Sequence, residues 1–417
     1  MAMQVVITNA VLGNSGDAAI LQGIREALIS TGVASSGEIS VHDSDGTMGR
    51  ALYPEWSVSQ QASYAPAGHP RLVRYVSRAI RRSIVRLLVV SERARRISCW
   101  RVWADHWQMG RTIREIRDAD IVISSGGTYL VDHYNFSGRA LELELAKAFG
   151  GKVVLWTQSM GPFQTTRSAR DFAKIAQVVD AVFFRDEKSR VSWSNAAPLP
   201  LVSAVVADAA FAITPTVSSA SACIRDSRPT AIISVREWRT AVVGEAFSFD
   251  SYAQAMREGA IYLLSKGWRC VALSTCQGVE RYAINDSKTA TAIFDGLDVE
   301  INSAHHTPSQ LIRELEDAKL VVSTRMHLAI LATIARVPVI AIAYEFKTTE
   351  LFAALGRSAN VTNIEDVSGG WIQDRVDALE ISSNVLSDDE IAELSKSSSS
   401  PAIQLIRAFS LSAALKS

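Results

Sequence analysis

The sequence predicts an α/β protein made of two doubly wound, Rossmann-like domains. Three observations carry this. Short apolar runs alternate with helical patterns along most of the 417 residues. The runs are apolar throughout rather than alternating, as parallel strands buried on both faces require. The chain is also too long for one ordinary core, and its periodicity fades at Thr214–Pro229, a Ser-rich stretch closed by proline.

The strands read, in order, MQVVIT, ADIVIS, KVVLWT and DAVFFR before that break, then TAIISV, CVALST, AKLVVS and VPVIAIA after it. Each leads into a loop rich in Gly, Ser or Asp and then into a helical pattern, the order of repeated βαβ units. The boundaries follow: an N-terminal α/β domain over 1–220, a C-terminal one over 221–385, and a helical tail over 386–417 interrupted at SKSSSSP and expected to pack on the first domain. Two such domains facing a cleft form a GT-B-like layout.

One segment departs from this rhythm. The basic helical insertion at about 70–117 holds thirteen arginines between Arg71 and Arg117, against Glu92, Asp105 and Glu115. In RLVRYVSRAIRRSIVRLLVV, helical spacing sets Val73, Val76, Ile80, Ile84 and Leu87 on one face and arginines on or near the other. That pattern fits a solvated basic face over the core. It equally fits a surface for anionic headgroups or a lipid-diphosphate substrate, hence peripheral membrane contact through 71–117. No aromatic stacking platform supports RNA binding, and Lys+Arg and Asp+Glu both total 43, so no global field attracts nucleic acid.

Hydrophobic residues at 48% and charged residues at 21% describe a soluble globular chain. MAMQVVITNA has no basic n-region, so no secretory leader is expected, and no apolar run is long enough to span a bilayer. Cys99, Cys223, Cys270 and Cys276 show no metal-binding spacing and read as free thiols of a reducing, cytoplasmic compartment. Neither a metal nor a cofactor is implied.

Ligands of open α/β sheets bind past the carboxyl ends of strands, so the chemistry is sought there. After the first strand come Asn14-Ser15-Gly16-Asp17, small enough for close backbone approach, with Asp17 available as a helix cap; a plain helix-entry turn explains them equally. Ser125-Gly126-Gly127 follow the next strand and suit either a ligand or a tight turn. Gln158 ends KVVLWTQ, and Arg185 follows DAVFF, where local pairing with Asp186 or Glu187 is expected. In the second half, Arg236 ends TAIISV and Gln277 follows CVALSTC.

The stretch Ser323-Thr324-Arg325-Met326-His327 ends a buried strand and opens a helix. A helix N-terminus is already positive, so an arginine there costs a few tenths of a kcal/mol unless an anion sits beside it. An anionic ligand would gain the free N–H groups, the dipole and a guanidinium fork together. Arg236 offers a second fork, and His327 is placed for general acid work.

Taken together, GNSGDAAIL, SGGTYL, QSMGPF, FFRDEKS, ISVRE, CQG and STRMHLAI…VPVIAIAYEFKTTEL resemble the polysaccharide pyruvyl transferase family, from about residue 5 to 356. The last piece is the most specific: Ser323, Arg325 and His327, then Pro338, then Tyr344 with Lys347. The family's glycine triplet is Ser125-Gly126-Gly127 here, and its usual Asp-Pro is Asp208-Ala209. The resemblance implies transfer of pyruvyl from phosphoenolpyruvate onto two hydroxyls of a sugar, and the basic 71–117 segment suits a lipid-linked saccharide acceptor at the inner face of the membrane. That chemistry, set on the strand-end loops, makes His327 the expected acid, Asp17 the candidate base, and Arg236, Ser323, Arg325, Lys347, Asn14, Gly126, Gly127, Gln158 and Gln277 the expected substrate contacts, with the donor on the second domain and the acceptor largely on the first. The alternative is a GT-B-type glycosyltransferase that uses a nucleotide sugar, its diphosphate at the same helix end.

Overall fold

The computed structural model describes residues 3–65, 70–96, 109–215, 228–238, 248–280, 282–381 and 385–414. They group into two compact units. The first comprises 1–13, 20–213 and 394–417; the second comprises 14–19 and 214–393.

Strands and helices of the first part of the chain run β1 (Val5–Ala10), α1 (Ser15–Ser30), β2 (Ile39–Asp43), α2 (Gly46–Leu52), β3 (Ser57–Gln60), α3 (Arg71–Val90), α4 (Glu92–Arg96), α5 (Gly110–Asp118), β4 (Ile121–Ser124), β5 (Gly127–Leu130), α6 (Ser137–Ala148), β6 (Lys152–Met160), α7 (Thr166–Val178), β7 (Ala181–Phe184), α8 (Glu187–Ala196) and β8 (Val202–Val205). Their sheet has the order β3-β2-β1-β4-β6-β7-β8, with β5 also paired to β6, and every pairing is parallel. Chain order reverses between β1 and β4, which makes their carboxyl ends the topological switch point.

The second part runs β9 (Thr230–Ser234), α9 (Phe249–Ser265), β10 (Arg269–Ala272), α10 (Asp286–Ile293), β11 (Val299–Ile301), α11 (Pro308–Glu316), β12 (Leu320–Ser323), α12 (Met326–Ile334), β13 (Val339–Ala343), α13 (Phe346–Ala354), β14 (Val361–Asn363), α14 (Gly369–Ile381) and α15 (Asp388–Ala414). Its six-stranded parallel sheet has the order β11-β10-β9-β12-β13-β14. Here the switch point lies between β9 and β12. Both central strands are apolar along their length because helices cover both faces: Ala231, Ile233, Leu320 and Val322 pack with α9 residues Tyr252, Met256 and Leu263.

The tail is one continuous helix, not the interrupted one expected from SKSSSSP. Pro401 lies inside α15. It has no N–H for the carbonyl of Ser397, but the Ser400 hydroxyl donates to that carbonyl at 2.8 Å and keeps it satisfied. The segment from Leu394 onward groups with the first unit, where Ser397 Oγ accepts the Ala207 N–H at 3.0 Å.

Helix α3 forms, but its burial differs from the sequence reading. The buried positions are Arg81, Ile84, Val85 and Leu88, whereas Val73, Val76 and Leu87 are exposed. Arg81 is tolerated inside because its guanidinium donates towards the carbonyls of Gln61 and Ala62 and lies near the buried Glu142. Among the described residues, no helix is long and apolar enough to cross a membrane.

Candidate active site

At the switch point of the second sheet, β9 and β12 end side by side. The Thr324 N–H bonds to the Ser234 carbonyl at 3.1 Å. Beyond that pair the chain continues as Val235-Arg236 on one side and Thr324-Arg325 on the other. Tyr252, buried under both, fixes them: its hydroxyl accepts the Arg236 N–H at 3.2 Å and bonds Thr324 Oγ1 at 2.7 Å. Burial pushes the Tyr252 pKa up to about 12, so it stays a neutral clamp.

The two arginines leave this clamp in opposite directions. Arg325 reaches past β9 to Asp286, which opens α10. Its Nε and Nη2 donate to the two carboxylate oxygens at 2.8 and 2.7 Å, a bidentate pair buried on both sides. Asp286 also accepts the Ser274 hydroxyl, which in turn accepts from Ser234 Oγ at 3.3 Å. Asp286 is thus the anion that offsets the charge of Arg325 at the start of α12. The open fork expected from the sequence is closed by the protein's own carboxylate, and only Nη1 takes no part in that pair.

Arg236 goes the other way, past β12 to Tyr344 at the end of β13. Its guanidinium carbon lies 4.0 Å from the Tyr344 ring centre and 4.6 Å from that of Trp238. The residue is 8% exposed, its Nε is buried without a hydrogen-bond partner, and no carboxylate pairs with it among the described residues. Two aromatic faces attract a guanidinium, but an ion buried without a counter-charge still costs several kcal/mol. Such a cation is stabilised by an anionic ligand. Lys347, the third cation here, lies 5.3 Å from the Tyr344 ring and is paired with Glu345 at 2.7 Å. Among the described residues, two of the three cations are therefore neutralised internally, and Arg236 carries the surplus.

His327 stands on the first turn of α12, half-buried. Its N-cap residue, Arg325, makes no side-chain capping bond. The turn Asn14–Asp17 packs against it. A Cβ placed on Gly16 would lie 3.0 Å from both Cβ and Nδ1 of His327, so glycine is what lets the backbone approach the imidazole. The turn is held by Ser15, whose N–H donates to the Thr275 carbonyl at 2.8 Å and whose hydroxyl donates to the His306 carbonyl at 2.6 Å. Asn14 closes it, accepting the Gly16 N–H and donating to Asp17 Oδ2, both at 2.9 Å. Asn14 and Asp17 thus group with the second unit, although in sequence they follow the first strand.

The remaining expected contacts are occupied by structure. The Ser323 hydroxyl bridges the carbonyl and N–H of Arg325 at 2.8 and 3.1 Å, which shapes the turn. Gln277 staples two loops, accepting the Ser274 N–H at 2.8 Å and donating to the Ala304 carbonyl at 2.9 Å. A cavity of about 660 Å³ opens beside this cluster, lined by Glu237, Phe249, Gly278, Glu280, Tyr282 and Lys288 among others. Its lining is not cationic on balance, so the anion-seeking group of this unit is Arg236 and not the cavity wall. Cys276, also buried, has its thiol pushed up to about 11 by burial and stays protonated. Cys270 is buried too, and Cys99 and Cys223 lie outside the described residues. Among the described residues, no group of three or more His, Cys, Asp or Glu side chains is placed to hold a metal ion.

The first unit has its own polar cluster at the β1–β4 switch point. Gly126 lets the chain after β4 lie against β6, where any Cβ would meet Thr157 and the Trp156 carbonyl at 2.6–2.7 Å. Gln158 Nε2 donates to the Gly127 carbonyl at 2.7 Å. Two non-glycine residues, Asn9 (φ 63°) near the end of β1 and Thr157 (φ 45°) within β6, take left-handed backbone angles, a cost that clusters at functional sites. Arg139, which sequence reasoning missed, donates to the Asn9 carbonyl at 2.9 Å and stacks on Tyr129 at 3.6 Å. Nothing in its helical context signals this, because its partners are 130 and ten residues away. Arg185 pairs with Asp208 at 2.9 Å rather than with its neighbours Asp186 or Glu187, and also donates to Ser159 and Thr128.

Comparison with known proteins gives a consistent result. Residues 14–345 match the family described as Polysaccharide pyruvyl transferase. The amylovoran biosynthesis protein AmsJ of Erwinia amylovora is 24% identical over 279 residues, which span 64% of this chain and 66%, just under two thirds, of that protein. Among solved structures, the UDP-GlcNAc 2-epimerase of Methanocaldococcus jannaschii superposes with a TM-score of 0.58 at 11% identity, over 99% of this chain and 100% of the other. The UDP-GlcNAc 2-epimerase of Neisseria meningitidis, bound to UDP-GlcNAc, gives 0.57 at 10% identity, over 97% and 100%. HepE of Anabaena in complex with UDP-glucose gives 0.53 at 9% identity, over 96% and 95%. These structural likenesses establish the GT-B-like α/β fold.

Proposed function

Because the chain belongs to the polysaccharide pyruvyl transferase family, and is a transferase, we propose that it moves the pyruvyl group of phosphoenolpyruvate onto two hydroxyls of one sugar. The products are a pyruvate ketal and inorganic phosphate. The observation that carries this is Arg236: a buried guanidinium, stacked on two aromatic rings, with no carboxylate partner among the described residues. Phosphoenolpyruvate brings a phosphate and a carboxylate, either of which matches a guanidinium fork.

The chemistry divides among a few groups. His327 delivers a proton to C3 of the donor, turning the methylene into a methyl group and leaving C2 electrophilic. The first sugar hydroxyl adds to C2 and gives its proton to a base, for which Asp17 is the candidate. The bond from C2 to the phosphate oxygen then breaks and phosphate departs. The second hydroxyl adds to the resulting oxocarbenium carbon, loses its proton and closes the ring; one of the two released protons restores His327 and the other leaves with phosphate. Arg236 binds the donor, with Nη1 of Arg325, Lys347 and the N-terminus of α12 in support. The acceptor is assigned to the first unit, to Asn9, Arg139 and Gln158 at its switch point, and is a glycan or lipid-linked saccharide at the cytoplasmic face of a membrane.

Phosphate release from phosphoenolpyruvate, dependent on a saccharide acceptor, tests the reading. Release of UDP from a UDP-sugar under the same conditions, with phosphoenolpyruvate inert, would replace it with glycosyl transfer.

A further inference from the structure

A helix that only covers a core turns its apolar stripe inward. Helix α3 does this with Ile84, Val85 and Leu88, beside the buried Arg81, but it also carries a second apolar stripe that faces outward. Leu72 is 74% exposed, Tyr75 74% and Val90 80%, and Val73, Val76 and Leu87 are exposed with them. Leu72, Val76, Leu87 and Val90 fall within one sector of the helix, since they recur at spacings of four, eleven and three. Arg71, Arg78, Arg82 and Arg86 form a second stripe beside it, at spacings of seven, four and four. The helix holds six arginines and no acidic residue, and α4 continues with Arg93, Arg95 and Arg96 against Glu92.

We propose that α3 is a docking surface for an anionic lipid bilayer, lying in the plane of the interface. The apolar stripe then sits at the level of the acyl boundary and the arginine shoulder at the level of the lipid phosphates, the arrangement of an interfacial amphipathic helix. Charge selects this occupant over the others. A second copy of the same face would set arginine against arginine, and a nucleic acid has no use for exposed leucine and valine. The surface extends the lipid-linked acceptor assigned above, and its biological sense rests on that reading; its test needs no turnover.

Two triple variants separate the contributions: Arg71→Glu with Arg78→Glu and Arg86→Glu, and Leu72→Ser with Tyr75→Ser and Val76→Ser. All six side chains are exposed, so the fold survives, as an unchanged thermal transition verifies. Flotation with phosphatidylcholine vesicles and with vesicles that also contain phosphatidylglycerol reads binding directly. The unaltered chain is expected to float with the anionic vesicles only, and less so as salt rises. Each arginine near an anionic surface strengthens partitioning about fivefold, so the charge reversal should weaken it about a hundredfold or more; the serine variant should weaken it at least tenfold. Phosphate release with a soluble saccharide should be unchanged in both. Equal flotation with neutral and anionic vesicles overturns the proposal, as does unchanged flotation of either variant, or a dimer in solution that the serine variant dissociates. Loss of flotation with retained turnover leaves the pyruvyl transfer reading intact, and the converse leaves the docking surface intact.

Discussion

Replacing Arg236 by methionine separates two roles open to a buried arginine. If it were structural, its loss would destabilise the fold. It is 8% exposed, contacts Tyr344 at 4.0 Å and Trp238 at 4.6 Å, and has no carboxylate partner among the described residues. Each cation–π contact contributes about 0.5–2 kcal/mol, while burial of an uncompensated charge costs several kcal/mol. Methionine keeps most of the volume and removes the charge, so the expected change in unfolding free energy is near zero or stabilising. The donor tells the opposite story. A charged hydrogen bond contributes about 1.5–3 kcal/mol, so loss of one fork should raise the Kd for phosphoenolpyruvate about a hundredfold. Arg325→Met is the control: it strands Asp286, which is 1% exposed, beside Ser274, and should cost about 3–5 kcal/mol of stability. Urea unfolding and calorimetric titration with phosphoenolpyruvate measure both quantities. An Arg236→Met protein that binds the donor as before, or loses as much stability as Arg325→Met, would refute the assignment.

Three further outcomes follow from the same geometry. His327→Ala should keep donor affinity and lose about a hundredfold or more in kcat for phosphate release, and equal turnover would remove the acid role. Gly16→Ala puts a methyl group 3.0 Å from two atoms of His327 and should lower kcat about tenfold or more with little change in Tm; normal kcat would mean that the turn does not position the imidazole. Asp43 is held at the end of β2 by the N–H groups of Leu12 and Asp45, yet burial pushes its pKa up to about 6. The folded chain therefore holds this proton more tightly than the unfolded one. The contribution is complete below the ordinary carboxylate pKa of about 4 and is lost as pH rises through about 6, a span of order 3 kcal/mol. Chemical denaturation across that window should show the decline in the parent and not in Asp43→Asn; parallel curves would contradict it.

Much of the scaffold is legible in the sequence because central parallel strands are apolar on both faces. TAIISV, AKLVVS and VPVIAIA could not be anything exposed. The strands that escape notice are those with polar content or open edges. Strand β2 carries the buried His42 and Asp43 within ISVHD, and β8 and β14 lie at sheet edges with partly exposed residues. In the site, strand-end logic finds Arg236, Arg325 and His327, but not which arginine is available. Asp286 lies 39 residues from Arg325, and only the sheet order brings β10 close enough to β12 for the pair to form. The docking of Asn14–Asp17 beside His327 is equally invisible, since it joins positions about 310 residues apart and depends on backbone carbonyls at Thr275 and His306. Helix α3 shows the limit of periodicity: spacing finds the apolar stripe of an amphipathic helix but not the direction in which tertiary packing turns it.

Proton and carbon bookkeeping in the product addresses the donor chemistry most directly. The reaction should be run in deuterium oxide with phosphoenolpyruvate and a saccharide acceptor, and the purified product examined by NMR and mass spectrometry. The expected product carries one pyruvyl group on a quaternary carbon bonded to two oxygens of one sugar, its methyl group bearing a single deuterium taken up at C3. A product that keeps vinyl protons, consumes one hydroxyl only, or gains a hexose in place of the three-carbon unit would contradict ketal formation by this protein.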